Sequence, residues 1–152
     1  MRDQHELSIS RLLDAPVEAV WRAWAEHTAE WFCPRPWRAE IVRQDLRPGG
    51  RSALVMHGPA GERMEMEGVY LEVVGNERIV STDAFTAGWH PQAPYMVRID
   101  TFADEGGRTR YTATARHWDA DTKASHEAMG FEPGWNAATD QLEEVAKRLA
   151  SR

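Results

Sequence analysis

Apolar residues recur along this chain with two different periods, and the change of period divides it into parts. Residues 5–13 (HELSISRLL) alternate, with Leu7, Ile9 and Arg11 on one side and Ser8, Ser10 and Leu12 on the other, which predicts a strand. Asp14-Ala-Pro16 reads as a helix start, with Asp14 as the N-cap and Pro16 in the first turn. Val17, Val20, Trp21 and Trp24 follow at i, i+3, i+4 and i+7, one face of a helix. A second short helix around 26–32 ends before Cys33-Pro-Arg-Pro-Trp37, because Pro34 and Pro36 cannot continue it.

From Trp37 to His117 the pattern is strand and turn. Strands are expected over 38–46, 51–58, 63–74, 78–86, 94–103 and 108–118. The connections carry turn residues: Pro48-Gly49-Gly50, Gly58 to Gly61, Gly75-Asn76, Gly88 to Pro94, and Asp104 to Gly107. After Asp119 the helical period returns. Residues 121–129 predict a helix stopped at Gly130, and Pro133 suits the first turn of another. Trp135, Ala138, Leu142, Val145 and Leu149 then form the apolar face of a long helix. Seven antiparallel strands with a long C-terminal helix across the concave face make an α+β arrangement, in one domain over 1–152. Two short helices lie between the first and second strands. A gap between sheet and helix is a natural pocket.

Composition narrows the classes. Lys and Arg number 18 against 24 Asp and Glu, a net charge of −6, which argues against a nucleic-acid binder. One cysteine excludes an internal disulfide. No apolar run approaches the ~20 residues of a membrane span, and MRDQHELSIS is too polar for a signal peptide, so a cytoplasmic protein without membrane insertion is expected. Seven tryptophans and six methionines suit an ordinary core or an apolar ligand cavity.

Several stretches are recognisable. Leu13 to Trp21 (LDAPVEAVW), Trp31 to Trp37 (WFCPRPW), Asp45 to Gly50 (DLRPGG) and Gly68 to Glu72 (GVYLE) resemble the START-like, or helix-grip, superfamily. Thr82 to Trp89 (TDAFTAGW) and His126 to Trp135 (HEAMGFEPGW) are similar to its bacterial branch named for the activator of heat-shock-protein ATPase. The resemblance implies a helix-grip fold: a curved sheet wrapped around the C-terminal helix. The superfamily includes lipid carriers, hormone receptors and polyketide cyclases, and fold does not choose among them. The strand Ile79-Val-Ser-Thr-Asp-Ala-Phe85 departs from many relatives, which are bulky where this chain has Ser81 and Asp83. If Ile79 and Phe85 face inward, so do Ser81 and Asp83.

Strand alternation brings Asp83, Tyr95 and His117 toward one end of the sheet, with Trp37, Met56 and Met66. Tyr111, Ala113, Ala115 and His117 share a face, and its two alanines leave space. The C-terminal region adds Met129, Phe131 and Trp135. Asp83 with His117 can be drawn as an acid–base pair; equally, Asp83 caps a turn or meets an arginine, and His117 donates to a backbone carbonyl. Cys33 lacks the surroundings of a nucleophile. His5, His27, His57, His90 and His126 are expected at the surface or in turns, and no spacing suggests zinc. Glu143 and Glu144 are expected to pair with Lys147 and Arg148 four residues on. Three functions remain: a binding protein for a small apolar or aromatic molecule, a cyclase-like or hydrolytic enzyme using the same pocket, or a module that meets a chaperone or forms a homodimer. No cofactor is implied.

Overall fold

A computed structural model of the chain describes residues 5–151; residues 1–4, which open the stretch weighed as a signal peptide, and residue 152 lie outside the described residues. The elements run β1 (Glu6–Leu13), α1 (Val17–Glu26), α2 (Thr28–Trp31), β2 (Arg38–Gln44), β3 (Arg51–His57), β4 (Arg63–Val74), β5 (Arg78–Thr82), β6 (Phe85–Thr86), β7 (His90–Pro91), β8 (Met96–Glu105), β9 (Arg108–His117), α3 (Ala120–Ala128) and α4 (Phe131–Ala150). Seven strands form one antiparallel sheet in the order β1-β9-β8-β5-β4-β3-β2. The fold is the α+β arrangement that the alternation and the long apolar stripe imply, in the helix-grip form that the resemblance implies.

β1 closes the sheet against β9, with Leu7 opposite Ala115 and Ile9 opposite Ala113. These positions, with Ile79, Phe102 and Tyr111, face α1 and α4. The two helices supply Val20, Ala23, Trp24, Leu142, Val145 and Leu149 to the same buried cluster. Trp21 sets its ring edge-on to Phe102 at 5.4 Å. The expected stripe on α4 is therefore buried from Ala138 to Leu149, whereas Trp135 is half-buried.

Four expectations are corrected. Asp14 does not cap α1: Pro16 holds the N-cap position in extended conformation, and Asp14 gives its backbone N–H to Glu143 Oε2 at 2.7 Å. The strand expected over 78–86 stops at Thr82. Thr82 Oγ1 donates to the Met96 carbonyl and accepts from the Ala84 N–H, and the Asp83 carboxylate takes two more backbone N–H groups, so the chain turns there. Phe85 consequently leaves the alternation and pairs with Pro91 in the separate β6–β7 hairpin. Glu143 and Glu144 reach across to other segments rather than along α4, Glu144 to Arg35, while Arg148 pairs with Glu30.

Among the described residues no helix is long and apolar enough to cross a membrane. Leu142 has no exposed surface, so Leu142→Ala should lower the unfolding free energy by about 2–5 kcal/mol, measured by urea denaturation.

Candidate functional site

The apolar stripe of α4 fills only one end of the space that the sheet encloses. Near the start of that helix the facing positions are small or set back, and a cavity of about 730 Å³ remains. Its walls come from α1 and α2 (Trp24, Thr28, Trp31), the inner faces of β2 to β5, β8 and β9, and the first turns of α4 (Phe131, Gly134, Trp135, Ala138). Five of the six methionines line it: Met56, Met64, Met66, Met96 and Met129. Met64 and Met129 are also exposed, which places them at the opening.

A buried ion pair beside the cavity is built on β8. Met96, Arg98, Asp100 and Phe102 alternate onto its inner face, so two charges point into the molecule. Asp100 is fully buried. Arg98 reaches it with Nε at 2.9 Å and Nη2 at 3.1 Å, and the Tyr111 hydroxyl donates to Asp100 Oδ1 at 2.6 Å. Burial pulls the Arg98 affinity for its proton down, but the Asp100 charge and hydrogen bonds outweigh this and hold it above the ordinary arginine value. Tyr111 is driven well above the usual phenol range by its burial first and then by the Asp100 charge. The guanidinium lies over Trp135 at 4.3 Å and near Phe32 at 5.3 Å, so aromatic faces cover the cation where Asp100 does not. Tyr70, beside Ser52 and Gln44, adds a further buried hydroxyl whose pKa burial raises.

A second polar group stands at the wall. His117 is buried; its Nδ1 donates to the His5 carbonyl at 2.9 Å, and its Nε2 lies 2.8 Å from His126 Nδ1. Tyr95, Phe131 and Trp135 pack around His126 with ring centroids at 5.2, 5.1 and 5.8 Å. Burial, then the charges of His117 and Arg98, lower the His126 pKa from the usual 6.5 to about 4.

Of the residues singled out from sequence, Met56, Met66, Asp83, Tyr95, Met129 and Trp135 line the cavity. Trp37, Phe85 and His117 lie outside the lining: Trp37 packs beside Gly58, Phe85 packs on the exposed Trp89, and His117 stands behind His126. Asp83 and His117 form no acid–base pair. Asp83 Oδ1 accepts the N–H groups of Tyr95 at 2.8 Å and Met96 at 3.2 Å, while the His117 ring bonds His5 and His126. Tyr95 stands between them, its ring 5.7 Å from that of His117. His126, expected at the surface, is buried instead. Burial pushes the Cys33 thiol up to about 11, which leaves it protonated and unreactive at neutral pH.

Sequence reasoning missed Arg98, Asp100 and His126. The signal for the first two was present: an Arg and an Asp two apart on a strand whose other same-face residues are Met96 and Phe102. His126 carried no such signal, because its burial depends on where α3 docks.

Asp100→Ala should cost about 3–5 kcal/mol in urea denaturation, since it leaves Arg98 buried without a countercharge, whereas Asp100→Asn should cost less. His126 binds its proton less readily in the folded chain than in the unfolded one. Stability from this group is therefore complete above pH 6.5 and lost as the pH falls toward about 4. The urea midpoint should fall more steeply across that window in the natural chain than in His126→Phe.

The family described as Activator of Hsp90 ATPase homolog 1-like protein matches residues 14–147. A solved protein from Nitrosomonas europaea is 36% identical, with 99% of each chain covered and a TM-score of 0.93. Another, from Mycobacterium smegmatis, is 26% identical over 94% of this chain and 91% of that one, with a TM-score of 0.80. An AHSA1-like protein from Aeromonas hydrophila, 22% identical over 95% of this chain and 93% of its own, shares the fold with a TM-score of 0.71. No curated protein matches the chain. The match across nearly all of the sequence, together with the helix-grip sheet and its gripped C-terminal helix, places this chain in the Activator of Hsp90 ATPase homolog 1-like family of the START-like superfamily.

Proposed function

We propose that this chain is a one-domain, cytoplasmic binding protein for a small aromatic or apolar molecule, held between the sheet and the first turns of α4. The observation that carries this reading is the cavity of about 730 Å³, whose walls carry eight Trp, Phe and Tyr rings and five methionines, with polar groups such as Arg98, Gln44, Ser52 and Asp83 among them. Ligand pockets fall in the range of roughly 300–1,000 Å³. Methionine side chains adapt to more than one shape, and the Trp135 ring offers a flat face. Arg98 spends Nε and Nη2 on Asp100, which leaves Nη1 for an acceptor atom on the ligand. Asp100 already balances its charge, so a neutral carbonyl or hydroxyl suits it as well as an anion does.

Gly134 gives the sharpest test. It lies inside α4 and lines the cavity, and a Cβ placed there meets no atom within 4 Å. Gly134→Ala should therefore stabilise the fold by about 0.5–1 kcal/mol and leave room for a ligand. Gly134→Phe should keep the fold and occupy the space. Native mass spectrometry of the protein drawn from cell extract should show a co-purifying small molecule on the natural chain and on Gly134→Ala, and none on Gly134→Phe. Equal loading of all three would place the ligand elsewhere.

A further inference from the structure

The hydrogen bonds of the two buried histidines fix where their protons sit. A carbonyl oxygen only accepts, so His117 Nδ1, 2.9 Å from the His5 carbonyl, carries a hydrogen. In the neutral pair His117 Nε2 is then a bare acceptor, and the 2.8 Å contact requires His126 to donate from Nδ1. That leaves a lone pair on His126 Nε2. This nitrogen has no partner among the described residues, and the ring that bears it lines the cavity. Phe131 and Trp135 hold the ring in place from α4, and Tyr95 from the segment before β8.

We propose that His117 and His126 form a proton-accepting couple in the cavity wall, in which His126 Nε2 takes the hydrogen bond and then the proton of a phenolic or enolic hydroxyl on the bound molecule. The step balances without any co-reactant. The O–H bond of the ligand breaks, and an N–H bond forms at His126 Nε2. The hydrogen on His126 Nδ1 passes to His117 Nε2. The ligand is left as an oxyanion, His126 is neutral in its other tautomer, and His117 is an imidazolium whose two N–H groups face the His5 carbonyl and His126 Nδ1.

The surroundings favour this distribution of charge. His126 sits among apolar rings and near the Arg98 cation, which together disfavour a positive charge on it, whereas His117 already gives one N–H to the His5 carbonyl. The ionisable groups around the pair are His5, Tyr95 and Arg98, with Asp83 beyond Tyr95. Tyr95 stays protonated, since burial and then the Asp83 charge raise it. Arg98 stays charged and lies over the same Trp135 ring that packs on His126, which places a cation near the couple. The pair thus gives the cavity a preference for acidic hydroxyls that its apolar walls would not supply.

This inference rests on the cavity being a small-molecule site, and a matched pair of probes separates the two ideas. 4-Nitrophenol and 4-nitroanisole have the same flat body, and the second lacks the hydroxyl. By calorimetry the phenol should bind the natural chain roughly five- to tenfold more tightly, the difference one hydrogen bond makes. It should also turn yellow on binding at a pH where the free phenol is colourless. His126→Phe keeps an aromatic ring against Phe131 and Trp135, and it should bind both probes alike and show no colour. His117→Asn retains a donor for the His5 carbonyl but removes the acceptor behind His126; it should keep part of the preference and lose the colour. Equal affinity of the natural chain for the two probes would overturn the couple and leave the cavity reading standing. So would a preference that survives in His126→Phe. Tighter phenol binding without the phenolate colour would overturn the proton transfer. Binding of neither probe would remove the cavity reading and this inference with it.

Discussion

The salt bridge between Arg98 and Asp100 constrains everything built around it. Two charges inside a protein cost several kcal/mol each in lost hydration unless partners replace the water. Here the partners come from three directions: each other, the Tyr111 hydroxyl on the next strand, and the faces of Trp135 on α4 and Phe32 just after α2. The pair therefore locks the β8–β9 register, because a slip of one residue would turn both charges outward, away from Tyr111, Trp135 and Phe32. It also ties the start of α4 to the sheet through the Trp135 ring. An apolar substitute would pack the same volume, but it would not leave a charged group beside an open space.

That open space has a steric origin as well. Ala113 faces α4 where the cavity begins, and α4 answers with Gly134 and Ala138. Farther along, Leu142, Val145 and Leu149 meet Ile79, Phe102 and Leu13, and the gap is filled. One helix thus carries two functions along its length. Its last three turns hold the fold together, and its first turns leave room. The close-packed end bears the stability, which frees the other end to be lined by methionines and half-buried rings.

The strand order, the long helix and the family resemblance were legible because they rest on periodicity and local motif. The alternation in β1 and β9 and the stripe from Ala138 to Leu149 have no competing interpretation. Alternation failed at Thr82, where side-chain hydrogen bonds end the strand against its own pattern. Phe85 and Asp83 look equivalent in sequence, two positions apart, yet one leaves the sheet and the other stays on the cavity. What decides is the pair of backbone N–H groups at Tyr95 and Met96, twelve and thirteen residues from Asp83, and no local pattern reports them. The inward charges on β8 obey the same alternation that places Tyr111 and Ala113, since Arg98 and Asp100 share the face of Phe102.

His126 marks the deeper reason why sites are harder to read than folds. On its own helix it is one polar residue in a weakly amphipathic stretch. Its character comes from β9, which supplies His117, and from the residue before β1, since the His5 carbonyl sets which nitrogen of His117 holds the proton. A backbone carbonyl at one end of the sheet thereby decides, through two rings, whether the cavity is offered a donor or a lone pair. Such a property belongs to no single residue and to no spacing. It arises only when three segments more than a hundred residues apart at their extremes are brought within hydrogen-bond reach, which is the work of the β1–β9 pairing that closes the sheet.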